Sequence, residues 1–103
     1  MELFTIVRAH HSLQKLLGQD LPLRQAYQVM QLVEKCNPNL MFYSNELKKA
    51  GEDEEKIKAL NEYLIEMDLE KIRIPLDTDI RLTASDVKFL SPFVEFYEGG
   101  SAP

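Results

Sequence analysis

Between Leu21 and Ala50 the chain places Val29, Val33, Cys36, Leu40, Tyr43 and Leu47 at steps of 4, 3, 4, 3 and 4. That rhythm keeps all six on one face of an α-helix. The stretch is therefore read as one long helix with an apolar seam, and the other segments must supply the surfaces that cover it. Pro38 contests this reading. Inside a helix its ring clashes with the carbonyl of Glu34 and removes a hydrogen bond, a cost of about 3 kcal/mol. Asn37-Pro38 also reads as an N-cap followed by the first residue of a new helix. The seam keeps its phase from Cys36 to Leu40, which a chain reversal at Asn37 would have no reason to preserve. A kinked continuous helix is favoured over two.

The rest of the chain is read around that helix. Glu2 to Leu17 forms a first helix, with Leu3, Ile6, Val7, His10, Leu13, Leu16 and Leu17 near the 3.6-residue period and Glu2 in the first turn. Gly18 is placed to close it in the left-handed conformation. Asp20-Leu21-Pro22-Leu23 opens the long helix with Pro22 in its first turn, where a missing N–H costs nothing. Lys48-Lys49-Ala50-Gly51 ends it, with cations in the last turn and glycine behind them. A third helix is expected from about Asp53 to Met67, with Ile57, Leu60, Leu64 and Met67 as its inner stripe. The short turn between the second and third helices makes them an antiparallel helical hairpin.

After Asp68 the period changes. Lys71-Ile72-Arg73-Ile74 alternates cation and β-branched residue, Pro75 to Asp79 reads as a turn, and Ile80-Arg81-Leu82 alternates again. The expectation is a short β-hairpin with Ile72, Ile74, Ile80 and Leu82 inward and Lys71, Arg73 and Arg81 outward. Thr83-Ala84-Ser85-Asp86 then reads as a capping box opening a short C-terminal helix that carries Val87, Phe89, Leu90, Phe93, Val94 and Phe96. Ser91-Pro92 kinks or restarts it. The predicted fold is α+β and mostly α: a single domain over residues 1–98, with 99–103 as a flexible tail.

Composition narrows the function classes. Residues 1–50 hold six Lys/Arg against four Asp/Glu, whereas residues 51–103 hold six against thirteen. An acidic chain without a dense basic patch is poorly suited to the phosphate backbone of nucleic acid, whose affinity comes from cationic neutralisation. The charge asymmetry suits docking on a basic protein surface, mutual docking of the two halves, or simple solvation. No run of 18 apolar residues exists, so no membrane span is expected. The N-terminus lacks the pattern of a secretory signal. The lone Cys36 has no partner for an internal disulfide, and a reducing, cytoplasmic setting is expected.

Chemistry-bearing residues are sparse. His10 and His11 point about 100° apart on a helix and do not share one ion comfortably. They read as one half-buried and one surface histidine. Cys36 sits on the seam, where a free cysteine behaves as a small hydrophobe. Glu70, Asp77 and Asp79 lack the glycine and distal glutamate of a calcium loop, and the aspartates read as turn-formers. No P-loop, dinucleotide fingerprint, nucleophile elbow or zinc motif is present. No catalytic residue, metal ligand or cofactor is assigned, and the chain is not expected to be an enzyme.

Phe89, Phe93, Phe96 and Tyr97 are the stronger lead. Phe89, Phe93 and Phe96 share a face if one helix carries them, and a surplus apolar face would serve as a dimer contact or a partner-docking surface. The alternative is that they complete the core.

Leu21-Pro22-Leu23-Arg24-Gln25-Ala26-Tyr27, Leu82-Thr83-Ala84-Ser85-Asp86 and Leu90-Ser91-Pro92-Phe93-Val94-Glu95, in this order of elements, resemble small uncharacterised proteins encoded by bacteriophages and prophages. The resemblance covers most of residues 2–97. It implies one long second helix and a small accessory protein acting by binding, with no catalytic residues to carry over. Two functions are therefore carried forward. One is a non-enzymatic accessory protein working through protein–protein contacts, as a homodimer or with another protein. The other is a small nucleic-acid-associated regulator reading through Lys71, Arg73 and Arg81 on a basic strand face, with nucleic acid the disfavoured partner.

Overall fold

A computed structural model describes residues 1–98. The expected tail, 99–103, lies outside the described residues. The elements run α1 (Leu3–Leu17), α2 (Leu23–Ala50), α3 (Glu54–Glu62), β1 (Ile72–Pro75), α4 (Ala84–Leu90) and β2 (Val94–Tyr97). The fold is mostly helical with a small two-stranded sheet.

α1 buries Leu3, Ile6, Ala9, Ser12, Leu13 and Leu16, a single face at helical spacing, against α2. α2 runs unbroken through Pro38, whose ring is on the exposed side. The seam does organise the core, but unevenly. Val29, Val33 and Cys36 are buried, Leu40 and Tyr43 are half-buried, and Leu47 is 36% exposed. The last turn of α2 ends on Gly51 at φ 60°, ψ −120°, a backbone geometry closed to side chains with a Cβ. Asp53 then caps α3 by accepting from the N–H groups of Glu55 (3.1 Å) and Lys56 (3.2 Å).

Several expectations are corrected. Gly18 is right-handed (φ −81°, ψ −5°), because its N–H continues the helical ladder to Gln14 O (3.2 Å) and the Gln19 N–H tightens the turn to Leu16 O (3.1 Å). Pro22 caps α2 from outside the helix, its carbonyl accepting from Ala26 at 2.9 Å. α3 stops at Glu62 and does not reach Met67. Its would-be last turn is taken by the N-terminus: Leu3 N–H donates to Tyr63 O (2.8 Å) and Ile65 N–H donates to Met1 O (2.8 Å). The Met1 amine donates back to Ile65 O at 3.2 Å, forming a small antiparallel bridge. Leu64, expected inward, is 72% exposed.

The predicted β-hairpin does not form. Ile72–Pro75 is a strand with Ile72 and Ile74 buried, as the alternation requires, but its partner is β2, in parallel register Ile72↔Val94, Arg73↔Glu95, Ile74↔Phe96 and Pro75↔Tyr97. Period-two alternation specifies a strand and its inward face, not the strand it pairs with. Ile80 and Leu82 lie in no strand and pack half-buried on the core.

The predicted C-terminal helix is also too long. It ends at Leu90, because Pro92 has no N–H to offer Lys88 O, and Ser91 satisfies that carbonyl through its N–H (3.3 Å) and Oγ (2.8 Å). Phe89, Phe93 and Phe96 therefore do not share a helix face. Phe93 turns into the core, 1% exposed, and Val94 to Tyr97 form β2. The result is a strand–helix–strand unit whose helix, α4, packs on α1.

Candidate interaction surface

The capping box at Thr83 forms as expected: Asp86 N–H donates to Thr83 Oγ1 (3.1 Å) and Thr83 N–H donates to Asp86 Oδ2 (2.9 Å). The same carboxylate reaches α1, accepting from Ser12 Oγ at 2.7 Å and Lys15 Nζ at 2.5 Å. Asp86 and Ser12 are the buried polar residues among those described. The Lys15 ammonium, with Ser12 and Thr83, holds the Asp86 carboxyl well below the usual carboxylate range, outweighing desolvation. Both carboxylate oxygens of Asp86 are engaged, Oδ1 by Ser12 and Oδ2 by Lys15 and Thr83, so the group fastens α4 onto α1. Burial pushes the Cys36 thiol up to about 11, which removes thiolate reactivity near neutral pH. Among the described residues no group of three or more His, Cys, Asp or Glu side chains could hold a metal ion.

The residues expected to bind partners are dispersed. Phe93 is core and Phe96 packs against it. Phe89 is half-buried, with the Arg8 guanidinium 5.8 Å from its ring centre. Tyr97 is half-buried beneath Arg73, whose guanidinium lies 4.4 Å from the ring centre. The aromatic cluster is largely absorbed by the monomer. The three cations do not form one strand face either. Lys71 precedes β1, Arg73 lies on it and pairs with Glu95 on the neighbouring strand at 3.4 Å, and Arg81 sits in the unpaired segment. Gln19 holds the Arg81 backbone, accepting from its N–H (3.1 Å) and donating to its carbonyl (3.3 Å).

The exposed apolar surface lies instead on α2. Leu23 (86% exposed), Tyr27 (56%) and Met30 (37%) follow at i, i+4 and i+7 on its outer face, and Met41 lies further along the same face. Exposed Arg24, Gln28, Gln31 and Glu34 flank the first three. The seam's period does not reveal this stripe, because it follows the inward face. The signal was present in Leu21-Pro22-Leu23-Arg24-Gln25-Ala26-Tyr27, as a second apolar series out of phase with the first. An apolar groove of about 470 Å³ lies where α3 meets the far end of α2, lined in part by Phe42, Leu60 and Tyr63. The Phe42 and Tyr63 rings meet there tilted at 45°, with centres 6.2 Å apart.

No helix among the described residues is long and apolar enough to cross a membrane. No protein-family model, curated protein or solved structure matches this chain.

Proposed function

We propose that this chain is a small non-enzymatic accessory protein that works through protein–protein contact, and that the outer face of α2 is where its partner sits. The observation that carries the reading is the run Leu23, Tyr27 and Met30, exposed on successive turns of the half of α2 whose opposite face, Val29, Leu32, Val33 and Cys36, is buried in the core. Anchors at i, i+4 and i+7 with polar residues beside them are what an amphipathic helix presents to an apolar groove. Single exposed hydrophobes need no explanation, but a contiguous series does. In this reading α2 and α3 act as an antiparallel helical hairpin that stiffens the binding helix. A cytoplasmic setting and a phage-type accessory role fit the lone buried thiol and the resemblance of Leu21 to Tyr27. A nucleic-acid partner is less favoured, since Arg73 is already engaged with Glu95 and Tyr97.

A photo-crosslinking residue at Tyr27, with the exposed Lys58 position on α3 as control, tests the proposal in native-host cells. A discrete protein adduct from position 27 but not 58 is expected, and an adduct of twice the chain mass identifies a homodimer. No adduct at position 27, or the same adducts from both positions, would overturn it.

A further inference from the structure

The outer face of α1 and the end of α4 enclose a second feature, a concavity of about 180 Å³ lined by Thr5, Arg8, Lys88, Phe89, Ser91 and Pro92. Its polar lining is two cations and two hydroxyls, with no carboxylate, in a chain that carries 17 acidic residues against 12 basic ones. Arg8 lies near two rings, its guanidinium carbon 5.7 Å from the centre of Phe4 and 5.8 Å from that of Phe89. Among the described residues, ion pairs form at Lys15, Lys49 and Arg73, and neither Arg8 nor Lys88 has a carboxylate within reach. Contact with the two rings narrows the range of the exposed guanidinium while leaving its N–H fork unspent, which lowers the entropic cost of binding an anion.

The donors differ in availability. Ser91 Oγ donates to Lys88 O at 2.8 Å, so its proton is committed. That bond holds the turn from which Lys88 projects. Arg8, Lys88 and the Thr5 hydroxyl remain as donors, and the Phe89 and Pro92 side chains form an apolar wall beside them. Two cations and a hydroxyl match a dianion with three acceptor oxygens better than a carboxylate with two.

We propose that this concavity is an oxyanion site that takes a phosphate monoester group. The group would come from a small phosphorylated molecule or from a phosphorylated side chain of a protein partner, and the two sources share the same recognition chemistry. The site lies on α1 and α4 and does not depend on the α2 reading.

The test is a ¹H–¹⁵N titration of the whole chain with inorganic phosphate, with ionic strength held constant by chloride. Saturable shifts confined to the Thr5–Arg8 and Lys88–Phe93 regions and to the Arg8 side-chain N–H are expected. Arg8→Gln and Lys88→Gln should each weaken binding about ten-fold or more, the loss of one charge-assisted contact. Arg81→Gln, an exposed cation elsewhere, should leave it unchanged. Unaltered melting curves show that the variants fold, and exposed Lys88 serves if Arg8→Gln does not. Tighter binding of a phosphoserine peptide than of phosphate assigns the source to a protein. Equal or weaker binding assigns it to a small phosphate. Shifts that fail to saturate, that survive both substitutions, or that acetate reproduces at the same concentrations overturn the site.

Discussion

The two halves of α2 carry one seam in one phase and yet live in different environments. From Leu23 to Cys36 the seam is closed over by α1 and the sheet, and Val29, Leu32, Val33 and Cys36 are all buried. From Asn37 to Ala50 the neighbours are α3, which buries no residue completely, and the first turn of α1. Tyr43 is held there by contacts of a more local kind, with Phe4 at 6.3 Å and a hydrogen bond from its hydroxyl to Asn61 Oδ1 at 2.6 Å. The contrast teaches that periodicity assigns a face to a residue, whereas depth depends on how much chain remains to cover that face. The molecule spends its covering elements on one end of a helix about 42 Å long, and the molecular long axis reaches 54 Å.

The sharpest way to break this comparison is to remove matched apolar groups from the two regions. Leu32→Ala, in the first half, is expected to cost about 2–5 kcal/mol in urea-induced unfolding. Leu47→Ala, on the second half, should cost about 1 kcal/mol or less, since much of that side chain is already in water. Equal losses would show that the halves are alike. Pro38→Ala probes the junction between them. The ring is exposed and removes one helical hydrogen bond, so alanine should stabilise by roughly 1–3 kcal/mol, with part of the gain offset by a freer unfolded chain. A gain confined to amide-exchange protection of residues 39–50, with global unfolding unchanged, would mean that the second half opens on its own.

Asp86 tests the fastening of the covered end. Its folded pKa is depressed, so the folded chain binds fewer protons than the unfolded one and stability rises with pH. The contribution is complete above the unfolded carboxylate range, and it is lost progressively as the pH falls below about 4. Asp86→Asn should destabilise the protein by roughly 1–3 kcal/mol at pH 7, leaving Lys15 and Ser12 poorly matched. It should also flatten the acid limb of the stability profile. An unchanged limb would place the acid sensitivity elsewhere. The smallest effect is expected at Leu23→Ser. On the exposed stripe this change should move stability by no more than about 0.5 kcal/mol while abolishing Tyr27-directed crosslinking. A larger loss would mean that the stripe serves the fold.

Much of the fold was legible because helices announce themselves locally. The α1 face, the α2 seam and its Gly51 stop, the Asp53 cap and the Thr83 capping box each follow from residues within a few turns of one another. The errors fall where a segment's structure depends on a distant partner. Ile72 and Ile74 state that they lie in a strand, but nothing within Lys71–Leu82 says that the partner is Val94–Tyr97 beyond α4. Tyr63–Ile65 continue a helical pattern until the backbone of Met1–Leu3 claims their hydrogen bonds. The candidate surface was not read from the sequence. Leu23 and Tyr27 lie in the opening of α2 but off the seam, so its period did not mark them, whereas Phe89, Phe93 and Phe96 share a face only on the premise of an uninterrupted helix. The basic concavity joins residues eighty or more positions apart, Thr5 and Arg8 with Lys88 to Pro92, and no pattern along the chain points to it.

The bridge between residues 1–3 and 63–65 has a topological consequence. It turns the chain from Leu3 to Tyr63 into a closed circuit: α1, the turn into α2, the length of α2, the Gly51 turn, α3, and back through the Leu3–Tyr63 hydrogen bond. A circuit cut once is still connected at every other joint. Proteolytic nicking between Gly51 and Asp53 should therefore leave two fragments that co-elute, the first held by α1 and α2 and the second by the bridge, β1 against α2, and α4 against α1. The Gly51 turn then acts as a linker that sets chain connectivity, and the noncovalent seams alone keep the two pieces in register.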